Sequence, residues 1–154
     1  MDRFYAVATR VLLNHEAIVD KFVGDEVVAI FIPALAGPNH AGQAINAGLE
    51  LLSDTGHAGG LPWVPVGIGV NTGTAFVGVV GTAEHVEFTA LGDAVNVSAR
   101  LATEAGPGEL LVTAATIAAA GQPIEGHELR RLALRGRSEL TDVIVFESND
   151  RSAS

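Results

Sequence analysis

Two stretches rich in β-branched residues flank a Gly24–Asp25 pair near the start of the chain, and this pattern restricts the local fold strongly. Residues 17–22 and 26–32 have the composition of short strands, and Gly-Asp is a favoured pair for a tight turn between antiparallel strands. The pattern therefore predicts a β-hairpin with a carboxylate at its tip. An exposed carboxylate on a rigid hairpin suits a hard cation such as Mg²⁺. Gly-Asp is also common simply because it makes a good turn.

The rest of the chain alternates between helical and extended patterns. Apolar periodicity predicts helices at residues 3–15, 40–52, 93–104 and 114–120. Extended segments are expected at residues 64–71, 74–80, 86–91 and 109–113, followed by two final strands within residues 127–147. This order predicts an α+β fold of the split βαβ kind. The glycines of residues 66–81 lack the spacing of a phosphate loop, so they are interpreted as points of close backbone approach.

Composition sets limits on the function. The chain has 154 residues and a net charge of −9, which predicts one domain that repels nucleic acid and anionic lipid. It has no cysteine, which excludes disulfides and thiolate chemistry and is typical of a cytoplasmic protein. Its longest apolar stretch, residues 27–36, is far shorter than the ~20 residues that span a bilayer. We therefore expect no transmembrane segment and no nucleic-acid partner.

A second polar feature lies on the helix predicted at residues 93–104. Asn96 and Arg100 are four residues apart, so they share one helical face. A guanidinium offers a planar fork for phosphate oxygens, and an amide beside it can orient a sugar or a phosphate. Taken alone, the pair is more typical of a solvated polar face.

Taken together, these features resemble the class III adenylyl/guanylyl cyclase catalytic domain. Each matching segment is weak alone, but their order and spacing agree from about residue 4 to residue 147. The matching segments are residues 18–25, 66–73, 78–81, 87–101 and 107–113. The resemblance implies a ferredoxin-like (βαββαβ-type) core with extra C-terminal strands. It also implies a catalytic domain over residues 1–148 that is incomplete at its N-terminus, and we expect a disordered tail at residues 149–154.

The resemblance further implies conversion of ATP to 3′,5′-cyclic AMP and pyrophosphate, a reaction of signal transduction. In this family the ribose 3′-hydroxyl attacks in line with the help of two metal ions, Mg²⁺ or Mn²⁺. The active sites are shared between the subunits of a homodimer. By position, Asp25 matches a metal ligand, and Lys21 with Thr89 matches the pair that reads the purine. Lysine with threonine is the adenine-type pattern, whereas guanylyl cyclases have glutamate and cysteine.

The remaining site residues are assigned from the same resemblance. Asn96 matches the residue that orients the ribose, and Arg100 matches the one that stabilises charge developing on the α-phosphate. Arg135 or Arg137 stands where the family has a basic residue for the outer phosphates, and the sequence does not choose between them.

One departure from the family pattern leaves an alternative function open. The family's first strand and its second metal-binding aspartate precede the helix with which this chain begins, and no substitute is evident. Strand alternation predicts that Asp20 points in the same sense as Phe22. The alternative is therefore a catalytically inactive, cyclase-like module that dimerises and binds nucleotide.

Overall fold

The computed structural model describes residues 1–153, with side chains through residue 150, and its element order agrees well with the sequence pattern. The helices are α1 (Asp2–Asn14), α2 (Pro33–Ala36), α3 (His40–Asp54), α4 (Asp93–Glu104) and α5 (Ala114–Ala120). The strands are β1 (Ile18–Val23), β2 (Glu26–Ile30), β3 (Ile68–Val70), β4 (Phe76–Gly81), β5 (Val86–Leu91), β6 (Glu109–Thr113), β7 (Glu128–Leu132) and β8 (Thr141–Glu147). Two 3₁₀ helices, His57–Gly59 and Ser148–Ala153, complete the set.

The strands form one four-stranded sheet and two separate hairpins. The sheet has the order β3-β6-β8-β7, in which β3 and β6 run parallel and the other neighbours antiparallel. β1 pairs with β2, and β4 pairs with β5, in antiparallel hairpins. The α+β, ferredoxin-like fold class is confirmed, and the C-terminal strands β7 and β8 extend the main sheet as expected.

The sheet is packed on both faces because side chains alternate along its strands. Leu110 and Val112 of β6 point into a core shared with α1, α3 and α5. Leu111, between them, points to the opposite face and packs with Val97 and Leu101 of α4. All three β6 side chains are fully buried. This packing fixes α4, and with it Asn96 and Arg100, against the sheet.

The strands before and after residue 72 are shorter than predicted, and Gly69 of β3 and the preceding Gly67 both lie close to α4. A Cβ at Gly69 would lie 2.5 Å from the Ala102 nitrogen of α4, and one at Gly67 would lie 2.7 Å from the Ala105 oxygen. Only glycine allows this approach of strand to helix. The interpretation of these glycines as points of close approach is confirmed.

A groove of about 660 Å³ separates β2 from β3, and α1, α3 and α4 contribute to its walls. Within the described part of the chain, β2 is hydrogen-bonded to β1 alone and β3 to β6 alone. Each strand therefore has one edge without a strand partner, and both strands line the groove. Such edges are ready to pair with a further strand.

A 3₁₀ helix ends the described part of the chain. The 3₁₀ helix Ser148–Ala153 overlaps the tail predicted at residues 149–154, and the Asp150 carboxylate accepts a hydrogen bond from the Glu147 nitrogen. Ser154 lies outside the described residues, so the disordered tail stays a prediction.

Over the described residues, none of the helices combines the length and apolarity needed to cross a bilayer.

Candidate functional site

The two residues assigned to the purine meet in the structure, although 68 positions separate them in the sequence. Lys21 lies on β1 and Thr89 on β5, and the Lys21 ammonium donates a hydrogen bond of 3.0 Å to the Thr89 hydroxyl. Thr89 is 4% exposed, whereas about a third of the Lys21 side chain is accessible to solvent. The contact therefore has a buried acceptor and a cation that can still reach a ligand.

Asp20 joins this pair, which the sequence analysis did not expect. Between Val19 and Lys21 the register of the hairpin shifts, so that Asp20 is the extra residue of a β-bulge. The bulge breaks strand alternation, and the neighbouring Asp20 and Lys21 both contact Thr89. The Thr89 hydroxyl lies 3.2 Å from Asp20 Oδ2. The prediction that Asp20 follows Phe22 is wrong, since the Phe22 ring instead packs 4.6 Å from that of Tyr5.

The cluster contains a buried carboxylate that is only partly hydrogen-bonded. The Asp20 side chain is 0% exposed, and its Oδ2 lies 3.7 Å from the Lys21 ammonium. The other oxygen, Oδ1, is buried without a hydrogen-bond partner. A third group, the half-exposed Glu87 carboxylate, lies 4.0 Å from the same ammonium. We call Asp20, Lys21 and Thr89 the base cluster. No signal in the sequence marked Asp20 except its position beside Lys21.

Asp25 occupies the tip of the β1–β2 hairpin, as predicted. Val23 pairs with Glu26 across a two-residue turn, and Gly24 takes a φ of +58°, which favours glycine. The Tyr5 hydroxyl of α1 donates to the Gly24 carbonyl and holds the tip against the helix. Asp25 is exposed and also contributes to the groove between β2 and β3. Its carboxylate is therefore available to an ion.

The acidic groups near the hairpin tip were tested against the needs of a metal. Among residues 1–150, no three histidine or acidic side chains converge in a way that could hold an ion. One carboxylate together with substrate phosphates is a common arrangement for a single Mg²⁺, so Asp25 fits one ion. The described residues do not fit a complete two-ion site.

The polar face of α4 carries Asn96 and Arg100, one turn apart. Asn96 is exposed and Arg100 is partly buried. The Arg100 guanidinium lies against Gly136 in the loop after β7, where a Cβ would come within 2.7 Å of its Nη1. Gly136 has a φ of +87°, so both conformation and space favour glycine there. The structure thus brings Arg100 beside the loop that contains both candidate phosphate-binding arginines.

The two arginines of that loop differ in their contacts. Arg137 donates a 2.6 Å hydrogen bond to the Asp93 carboxylate at the start of α4, and both border a shallow pocket of about 260 Å³. Arg135 is exposed and has no hydrogen-bond or ion-pair partner among the described residues. The described side chains include no hydrogen bond or ion pair that joins Asp25 to Asn96 or Arg100. The predicted site residues therefore form separate groups within one chain.

Comparison with known proteins defines the family. Residues 4–147 match the model of the adenylate and guanylate cyclase catalytic domain. This match covers most of the chain, so the chain belongs to the class III nucleotidyl cyclase family. The resemblance read from the sequence is confirmed.

Two curated relatives carry adenylate cyclase names. The chain is 30% identical over 152 residues to Adenylate cyclase 1 of Rhizobium meliloti, an alignment that covers 93% of this chain and 23% of the relative. It is 32% identical over 168 residues to the terminal-differentiation specific adenylate cyclase of Dictyostelium discoideum, covering 98% of this chain and 8% of the relative. The chain thus spans less than a quarter of the length of either relative.

Solved structures support the same fold. The guanylyl cyclase Cya2 superposes with a TM-score of 0.81 at 23% identity, covering 92% of this chain and 75% of that one. The adenylyl cyclase CyaB from P. aeruginosa gives a TM-score of 0.76 at 24% identity, covering 95% of this chain and 80% of that one. Both adenylyl and guanylyl cyclases share the fold, so the fold alone does not select a base.

Proposed function

We propose that this chain is a catalytic domain that converts ATP to 3′,5′-cyclic AMP and pyrophosphate. The observation that carries the proposal is the hydrogen bond between Lys21 and the buried hydroxyl of Thr89. An ammonium can donate to a ring nitrogen, and a hydroxyl oxygen can accept from an amino group. Adenine offers both of these groups side by side. The adenylate cyclase names of the two curated relatives support the same base.

The α4 side chains supply groups for the reaction at phosphorus. A bond forms between the ribose 3′-oxygen and the α-phosphorus, the bond from phosphorus to the pyrophosphate oxygen breaks, and the proton of the 3′-hydroxyl ends on the released pyrophosphate. Asn96 is exposed and can orient the ribose, while the partly buried Arg100 can stabilise the charge that develops on the α-phosphate. The loop beside Arg100 brings a further cation close, and Arg135 suits the outer phosphates better because Arg137 is already paired with Asp93.

A metal ion is part of the proposal through Asp25. This carboxylate would hold Mg²⁺ or Mn²⁺ together with the substrate phosphates. When bound, the ion supplies neutralisation of the triphosphate charge. The chain's own residues bind the base, orient the ribose and stabilise the α-phosphate.

Self-association as a homodimer follows from two features. The β4–β5 hairpin exposes large apolar side chains, among them Val79 at 65% and Val86 at 64%. Apolar surface of this extent commonly marks an interaction site. In addition, no hydrogen bond or ion pair among the described residues joins Asp25 to Arg100. A second copy that places its Asp25 opposite Arg100 would complete a shared site.

The direct test is product formation. The protein is incubated with ATP and either Mn²⁺ or Mg²⁺, and cyclic AMP is measured beside the Asp25→Asn variant. Cyclic AMP above the level of the variant supports the enzyme. Tight ATP binding with no cyclic AMP under either ion would favour the alternative, a non-catalytic nucleotide-binding module. Failure to bind ATP would reject both functions.

A further inference from the structure

We infer that Asp20 is a positioning residue that sets the base specificity of the site by fixing the direction of the Thr89 hydroxyl. The inference deepens the proposed function and rests on it. Asp20 is wholly buried in a β-bulge and within hydrogen-bond distance of Thr89, yet it belongs to none of the roles assigned above. A buried carboxylate destabilises the fold unless it is paired and hydrogen-bonded. One oxygen of Asp20 lacks a hydrogen-bond partner, so a structural role alone does not account for this residue.

The proton positions in the base cluster follow from the chemistry of its three groups. A lysine ammonium can only donate, and an ionised carboxylate can only accept. The Thr89 hydroxyl lies between them, 3.0 Å from Lys21 Nζ and 3.2 Å from Asp20 Oδ2. It must therefore accept from Lys21 and give its single proton to Asp20. One lone pair remains for a ligand, so Thr89 presents an acceptor and no donor.

This polarity selects the group at position 6 of a purine. Adenine has an amino group there, which donates, whereas guanine has a carbonyl oxygen, which meets the Thr89 oxygen with no proton between them. Asp20 Oδ1, buried without a partner, adds a second acceptor to the same cluster. Lys21 imposes a separate requirement, because it donates to adenine N1 but faces an N–H in guanine. Removing Asp20 relieves the mismatch at Thr89 and leaves the one at Lys21.

The test measures equilibrium binding of ATP and of GTP, each with Mg²⁺, to the 154-residue chain and to Asp20→Ala by calorimetry. The readout is the dissociation constant for GTP divided by the dissociation constant for ATP. We expect this ratio to fall roughly tenfold in Asp20→Ala, mainly through tighter GTP binding, since a mismatched hydrogen-bonding group discriminates by at least this factor. Asp20→Asn, whose amide oxygen can still accept from Thr89, should show a smaller fall.

A matched control separates hydroxyl direction from nearby charge. Glu87→Gln removes the charge of a carboxylate that lies 4.0 Å from Lys21 and, among the described residues, has no hydrogen bond to the Thr89 hydroxyl. Its ratio should equal that of the wild type. An equal fall in Glu87→Gln and Asp20→Ala would overturn the inference, because charge near Lys21 would then be the cause.

The nucleotide binding of the wild type separates a failure of this inference from a failure of the proposed function. A wild type that binds ATP and GTP equally, or binds neither, rejects the proposed adenine specificity and the role of Asp20 with it. A wild type that prefers ATP, with an unchanged ratio in the folded Asp20 variants, rejects the role of Asp20 alone.

Purine analogues give a test that needs no substitution. Inosine triphosphate has the 6-oxo group without the 2-amino group, and we expect it to bind as weakly as GTP. 2-Aminoadenosine triphosphate keeps the 6-amino group and should bind as ATP does. Inosine triphosphate bound as tightly as ATP would show that selectivity comes from the 2-amino group, and would overturn the inference.

Discussion

The base cluster and the groups assigned to the phosphates differ in how completely one chain builds them. Asp20 and Thr89 are buried, and Lys21 is already hydrogen-bonded to Thr89. Asp25 and Arg135, in contrast, are exposed and lie in separate parts of the fold. The groups proposed to read the base are thus organised before any ligand binds, whereas the groups proposed for the metal and the phosphates are not.

The difference has a physical basis. Hydrogen bonds discriminate best when burial removes competing water, so a specificity site gains from being built in advance. Phosphate and metal groups must remain accessible to a charged ligand. A charged group without a partner is best accommodated in water, which favours exposure of these groups until substrate, metal and a second subunit assemble.

The largest effect on activity is expected from adding a second carboxylate for the metal ions. Extending the N-terminus with a strand that fills the groove between β2 and β3 and carries a second carboxylate should raise cyclase activity by orders of magnitude. The 154-residue chain alone should be weakly active at most and favoured by Mn²⁺, because Asp25 is a single fixed carboxylate. Cyclic AMP formation by the two proteins, with each ion, measures this.

A control separates strand pairing from metal binding. The same extension with its carboxylate changed to alanine should raise the melting temperature, since it pairs two open strand edges, but not the activity. Full activity of the 154-residue chain with Mg²⁺ would contradict the expectation, and would point to Glu26 as the second carboxylate because the Asp20 side chain is buried in the base cluster.

Arg100→Ala should lower kcat by roughly 10²–10³ and change KM far less, because its charge matters most where transition-state charge develops. Initial rates on the extended protein measure both constants. Arg131→Ala is the matched control, since the Arg131 side chain is 68% exposed and pairs with Asp142 on the neighbouring strand. A variant with a defect in KM alone would assign Arg100 to ground-state binding.

Mixing two inactive proteins should restore part of the activity. In a mixed dimer of Asp25→Ala and Arg100→Ala chains, one of the two shared sites keeps both groups. The experiment uses the extended protein, with a different affinity tag on each chain so that co-purification through both tags demonstrates that mixed dimers form. Mixed dimers without recovered activity would argue that each site is built within one chain.

The smallest effect is expected at Glu109, which belongs neither to the base cluster nor to the groups assigned to the phosphates. Arg130 donates two hydrogen bonds to Glu109, which hold the pKa of that carboxyl below its usual value although partial burial opposes the shift. Glu109→Gln should therefore cost about 1 kcal/mol of stability near neutral pH. A lowered folded-state pKa stabilises above the unfolded pKa, so the cost should vanish as the pH falls through the folded-state pKa. Denaturant unfolding across pH checks this, and the ATP-to-GTP binding ratio should not change.

The sequence pattern predicts most of the helices and strands but not the β-bulge at Asp20. The hairpin at Gly24–Asp25, the helix Asp93–Glu104 and the strand Glu109–Thr113 were predicted because period and turn chemistry are local. α2 was missed since four residues show no periodicity. Asp20 was misplaced because a bulge depends on pairing with β2 and on contact with β5, which local alternation does not contain.

The most direct measurement of the central claim is the initial rate of cyclic nucleotide formation from ATP and from GTP at equal concentration with Mn²⁺. Lys21 and Thr89 as an adenine-reading pair predict faster turnover of ATP, by tenfold or more if both hydrogen bonds discriminate. Equal rates, or faster formation of cyclic GMP, would contradict the claim that the base cluster reads adenine.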